Sequence, residues 1–121
     1  MDVLLVEDNP AVSLITVEYL TELGHSAVAV PAAEPALKYL SERNFDAVLT
    51  DVSLPGMSGI DLAKALAKQY PRLPIVISSG YGKNMELILD PSRPGVFLLP
   101  KPYDMPALER TLTEAAAFAH S

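Results

Sequence analysis

Short apolar runs of β-forming residues alternate with stretches at helical spacing along the chain, and that alternation limits the available folds more than any other feature. Val3–Val6 is apolar and β-branched, and Asp8-Asn9-Pro10 then reads as a helix start with proline at an early helical position. Val12, Ile15, Tyr19, Leu20 and Leu23 recur at helical spacing, and Gly24 supplies the stop. Ala27–Val30 is a second strand. Pro35 opens a second helix with Ala36, Leu37 and Leu40 on one face, ending near Asn44. Ala47–Thr50 runs apolar into Asp51, as a buried parallel strand would. After the turn Pro55-Gly56-Met57-Ser58-Gly59, Ile60, Leu62, Ala63, Leu66, Ala67 and Tyr70 make a third helix. Ile75–Ile77 and Val96–Leu99 are the fourth and fifth strands. Asp104 caps a last helix with Pro106 in its first turn and Leu108, Leu112, Ala115 and Ala119 on one stripe.

Strands alternating with helices give a parallel sheet covered on both faces, and right-handed crossovers leave few topologies. The pattern predicts one α/β domain over residues 1–121: a doubly wound, flavodoxin-like sheet of five strands in the order 2-1-3-4-5. Half of the 121 residues are hydrophobic, enough for a real core. One unit is irregular. Between Gly80 and Val96 only about Asn84–Leu89 is helical material, and Asp90-Pro91-Ser92-Arg93-Pro94-Gly95 cannot continue a regular helix. The fourth helix is therefore expected to be short or irregular.

In an open α/β sheet the functional crevice lies beyond the carboxyl ends of the strands. Strand one ends in Glu7-Asp8 and strand three in Asp51; strand four is followed by Ser78-Ser79-Gly80 and strand five by Lys101-Pro102. Strands one and three are neighbours in the expected order, so Glu7, Asp8 and Asp51 converge. Crowded carboxylates repel, and a hard divalent cation such as Mg2+ is the usual resolution. Taken singly each residue has an ordinary explanation: Asp8 as a helix cap, Asp51 as turn chemistry, Ser-Ser-Gly as a loop, Lys101 as a solvated lysine. Unrelated loops seldom supply acid pair, acid, hydroxyl and lysine at four strand ends in that order. His25 and His120 lie outside the set, with His25 read as a surface turn residue, so no base is aimed at water there.

Five stretches carry a resemblance: Val3-Leu4-Leu5-Val6-Glu7-Asp8-Asn9, Asp46-Ala47-Val48-Leu49-Thr50-Asp51, Leu54-Pro55-Gly56-Met57-Ser58-Gly59, Pro74-Ile75-Val76-Ile77-Ser78-Ser79-Gly80 and Lys101-Pro102-Tyr103. Together, over essentially the whole chain, they resemble the receiver domain of bacterial response regulators and hybrid histidine kinases, with its CheY-like fold. The resemblance implies that Asp51 is the phosphoacceptor. It implies that Asp8 and Asp51 bind Mg2+ with the Ser53 backbone carbonyl, and that Glu7 holds a metal-bound water. Ser79, directly before Gly80, matches the family's switch hydroxyl, and Lys101 would contact the phosphoryl group. The Lys101–Pro102 bond is commonly cis in the family, and Gly59 permits a close loop approach after the phosphoacceptor. The chain departs from the family three residues before the lysine, where Leu98 stands in place of an aromatic residue. Phe97 falls on the opposite face of the strand. Phosphorylation is therefore expected to act mainly on residues between Gly80 and Gly95, where Tyr81 could shield the phosphoryl group.

The implied function is two-component phosphorelay signalling, in which a phosphoryl group passes from a histidine kinase or histidine phosphotransfer protein to Asp51 and alters contacts with a downstream protein. With no output segment in the sequence, a free-standing regulator and the receiver of a hybrid kinase are both expected origins. A Mg2+-dependent phosphatase of the haloacid-dehalogenase type also uses an aspartyl phosphate, but it carries a second acid where this chain has Ser53 and usually a cap domain. A pseudo-receiver that only binds partners would not need the complete Glu7, Asp8, Asp51, Ser79 and Lys101 set. A net charge of −6 without a basic cluster argues against direct nucleic-acid binding. No apolar run approaches the ~20 residues of a membrane span. The absence of cysteine fits a cytoplasmic setting.

Overall fold

The apolar runs pair side by side because each buries its backbone polar groups only by bonding to another run. In the computed structural model, which describes residues 1–80 and 95–119, the strands are β1 (Asp2–Val6), β2 (Ser26–Val30), β3 (Ala47–Asp51), β4 (Ile75–Ser79) and β5 (Val96–Pro100). They form one parallel sheet in the order β2-β1-β3-β4-β5, as the sequence predicts. The described helices are α1 (Pro10–Glu22), α2 (Ala33–Glu42), α3 (Gly59–Gln69) and α4 (Met105–Ala119).

Side chains alternate across the sheet, so each central strand feeds two cores. Leu4, Val6, Val48, Ile75 and Ile77 pack with Ala36 and Leu40 of α2 and Leu62 and Leu66 of α3. Val3, Leu5, Leu49, Val76 and Leu99 point the other way, onto Leu20 of α1 and Leu108, Leu112 and Ala115 of α4. Truncating a fully buried member such as Leu49 to alanine should cost about 2–5 kcal/mol. Leu98 joins the first core and Phe97 the second, where its ring meets Phe118 edge to face at 6.4 Å.

Several boundaries differ from the sequence reading. The α1 cap is Asn9, whose side-chain oxygen accepts from the Ala11 and Val12 amides at 3.0 and 3.2 Å, so Asp8 is not engaged as the cap. Ile15, one of the apolar residues at helical spacing in α1, is 48% exposed, while Thr16 is buried. Helix α2 begins two residues before Pro35, which sits in the first turn where its missing N–H costs nothing. Asp104 caps α4 as expected, accepting from the Ala107 amide at 2.9 Å. The expected short helix near Asn84–Leu89, the proline-rich stretch after it and Tyr81 lie outside the described residues. Among the described residues no helix is long and apolar enough to cross a membrane.

Candidate functional site

The carboxyl ends of β1 and β3 are adjacent because Val6 pairs with Thr50. The next residue on β1 is Glu7, whose amide still bonds the Val30 carbonyl at 3.0 Å; the next on β3 is Asp51. With Asn9 serving as the cap, Asp8 is left exposed beside them. One carboxylate oxygen from each of Glu7, Asp8 and Asp51 lies within 4.8 Å of the others. Hard oxygen donors, crowded and without enough positive charge, suit a divalent cation of the Mg2+ type.

Lys101 answers part of this charge. Its amide donates to the Ser79 carbonyl at 2.9 Å, which ties the lysine backbone to the end of β4. Its ammonium donates to Glu7 Oε1 at 2.7 Å and lies 3.4 Å from Asp51 Oδ2. The Lys101–Pro102 peptide bond is cis, as the resemblance led us to expect. Burial pushes the Glu7 carboxyl up from its ordinary value, and the neighbouring Asp51 charge adds to this. The Lys101 hydrogen bond and the Asn9 amide, 3.2 Å from Glu7 Oε2, offset it only in part. Burial works against the charged form of Lys101, but the Glu7 hydrogen bond and the Asp51 and Glu7 charges outweigh it and hold its pKa above the usual lysine value.

The turn after Asp51 is drawn tight. The Val52 amide donates to the Ser78 carbonyl at 3.0 Å, and the Gly59 amide donates back to the Val52 carbonyl at 2.9 Å. A Cβ on Gly59 would overlap the Asp51 carbonyl oxygen, so only glycine lets α3 start here. Ser58 caps that helix through the Asp61 amide at 3.1 Å. Ser53 lies exposed in this turn, two residues past Asp51. Ser79 is buried at the end of β4.

Glu7, Asp8, Asp51 and Lys101 are thus brought together. His25 sits at the amino end of the sheet, its Nδ1 3.1 Å from the Met1 amine, far from the acids. A cavity of about 760 Å3 also lies at that amino end, against Asp46, Tyr70 and Pro74. A smaller one of about 500 Å3 borders the site between α1 and the Lys101–Tyr103 turn. In it Thr16 Oγ1 and Tyr103 Oη are 2.7 Å apart, a contact the sequence reading missed. The one available signal was a polar residue one position away from the apolar Ile15.

The model of the response regulator receiver domain matches residues 3–113. The response regulator FleR of Pseudomonas aeruginosa is 37% identical over 107 residues, covering 88% of this chain and 22% of that protein. The aerobic respiration control sensor ArcB of Escherichia coli is 33% identical over 112 residues, covering 89% of this chain and 14% of that protein. The chain therefore spans less than a quarter of either relative. Among solved structures, the receiver domain of a sensor histidine kinase from Pseudomonas aeruginosa PAO1 superposes with a TM-score of 0.82 at 25% identity. It covers 96% of this chain and 97% of that one, and is described with magnesium ion coordinated in its active-site cleft. The sheet order, the acids and lysine at its strand ends and a family match over nearly the whole chain agree: this chain belongs to the response regulator receiver family, the phosphoacceptor modules of two-component signalling.

Proposed function

We propose that this chain accepts a phosphoryl group from phosphohistidine onto Asp51 with the help of Mg2+, and so controls contacts with a downstream protein. The observation that carries this reading is Lys101 spanning Glu7 and Asp51 over three clustered carboxylates. Asp8 and Asp51, with the Ser53 carbonyl, would hold the cation, and Glu7 would hold one of its waters. When bound, the cation neutralises charge on the phosphoryl oxygens.

The chain's own groups do the rest. An Asp51 carboxylate oxygen forms the new O–P bond as the P–N bond of phosphohistidine breaks. The Lys101 ammonium neutralises charge on the phosphoryl oxygens, and Ser79 supplies a hydroxyl to them. Gly59 fixes the turn that keeps Asp51 at its depth. No histidine of the described residues lies near Asp51 to activate water, which suits an intermediate that persists. The donor is a sensor histidine kinase or a histidine phosphotransfer protein, supported by similarity to the sensor protein ArcB as well as to regulators. A Mg2+-dependent phosphatase is the weaker reading, since Ser53 stands where such an enzyme carries its second acid.

Incubation with acetyl phosphate tests the proposal. Intact-mass measurement should find one added phosphoryl group in the presence of Mg2+ and none with a chelator. An Asp51→Asn chain that gains phosphate as readily as wild type would refute the assignment.

A further inference from the structure

Ser78 sits one place before the serine assigned as the switch and has been given no role. It is 2% exposed, and among the described residues its hydroxyl has no hydrogen-bond partner. Buried hydroxyls left unpaired are uncommon and ask for a reason.

Strand register supplies one. Asp51 pairs with Ser78, and Ser78 with Leu99. Glu7 follows Val6, which pairs with Thr50, so Glu7, Asp51, Ser78 and Leu99 form one row across the ends of β1, β3, β4 and β5. Side chains alternate along strands, and Leu5, Leu49, Val76 and Leu99 all face the α1 and α4 side. Two residues on from the first three, Glu7, Asp51 and Ser78 leave the sheet on that same face. Lys101 lies two residues beyond Leu99. To reach Asp51 and Glu7 from β5, its side chain has to cross the end of β4, and the residue on that face of β4 is Ser78.

We infer that Ser78 is a positioning residue for Lys101, a hydrogen-bond acceptor that receives the ammonium when it withdraws from Glu7. The inference rests on the proposed cation site. Lys101 has three N–H donors and no acceptor capacity, and in this structure it spends them on the acids, at 2.7 Å from Glu7 and 3.4 Å from Asp51. Once those acids hold a divalent cation, like charge drives the ammonium back toward its own strand. The hydroxyl it passes over is Ser78 Oγ, which has lone pairs free to accept. A serine is small enough to leave room for the lysine stem, and alanine would be too, but alanine offers nothing to an ammonium.

A merely structural serine and this one behave differently when the hydroxyl is removed. Ser78→Ala deletes an unpaired buried group, so without metal its thermal midpoint should equal or exceed that of wild type. Mg2+ titration followed by amide chemical shifts should give a dissociation constant weaker than wild type by roughly tenfold or more, the size expected for one lost hydrogen bond to a charged group. Ser78→Thr, which keeps the hydroxyl, should return the constant toward the wild-type value. If wild type and Ser78→Ala bind Mg2+ equally, Ser78 does not serve Lys101 and the inference is overturned. If wild type itself binds no Mg2+, the cation site fails and takes this inference with it.

Discussion

Glu7 and Lys101 pull in opposite senses, and the balance makes a measurable pH dependence. The folded protein raises the Glu7 pKa above 4.5, chiefly by burial, so it binds that proton more tightly than the unfolded chain does. Through this group, metal-free stability rises as the pH falls through the raised value, and the gain is complete below 4.5. Lys101 has the reverse consequence at the alkaline end: its raised pKa contributes stability that is lost as the pH climbs through the folded value. Lys101→Met should separate the two. It strands a buried carboxylate, at a cost on the order of 2 kcal/mol near neutral pH. That is less than the ~3–5 for a fully buried pair, because the Lys101 side chain is partly solvated. Urea denaturation at neutral pH and near pH 5 would check this. The mutant's deficit should shrink on acidification as Glu7 takes up its proton, and a deficit independent of pH would locate the loss elsewhere.

The elements show which parts of a chain speak locally. Strand ends were legible because an apolar run that stops at an acid has few other meanings in a parallel sheet, and Asp51 and Glu7 both sit where that reading put them. The caps were less so: Asp8 and Asn9 are both good caps, adjacent in sequence, and only the bonds to Ala11 and Val12 decide for Asn9. In α1 apolarity does not track burial, since Ile15 is 48% exposed. Thr16 is buried with its hydroxyl 2.7 Å from that of Tyr103, a partner 87 residues away that no helical period can reveal. Helix α3 gives a test of how tightly the site constrains an element. Glycine to alanine in an exposed helix normally gains up to ~1 kcal/mol, but at Gly59 the new Cβ meets the Asp51 backbone, and overpacking of this kind costs about 1–3 kcal/mol. Gly59→Ala should therefore lower the denaturation midpoint, whereas an unchanged or raised midpoint would mean that the turn gives way easily.

At the scale of the whole molecule, one topological fact makes the site. The order β2-β1-β3-β4-β5 sets the ends of β1 and β3 side by side and lets a lysine beyond β5 reach back across β4. That convergence could be read from alternation and strand order alone. The Glu7–Lys101 hydrogen bond and the unpaired Ser78 hydroxyl could not, because both depend on side-chain directions that appear only when the sheet is assembled. In the proposed function this assembled site takes a phosphoryl group from histidine onto Asp51. This transfer is tested most directly by mixing the chain with a phosphorylated histidine phosphotransfer protein and Mg2+, then reducing the product with borohydride, which converts an aspartyl phosphate to homoserine. Peptide mass spectrometry should find homoserine at position 51 alone, and none when a chelator is present. Homoserine at another aspartate, or an equal yield without Mg2+, would rule out Mg2+-dependent transfer to Asp51.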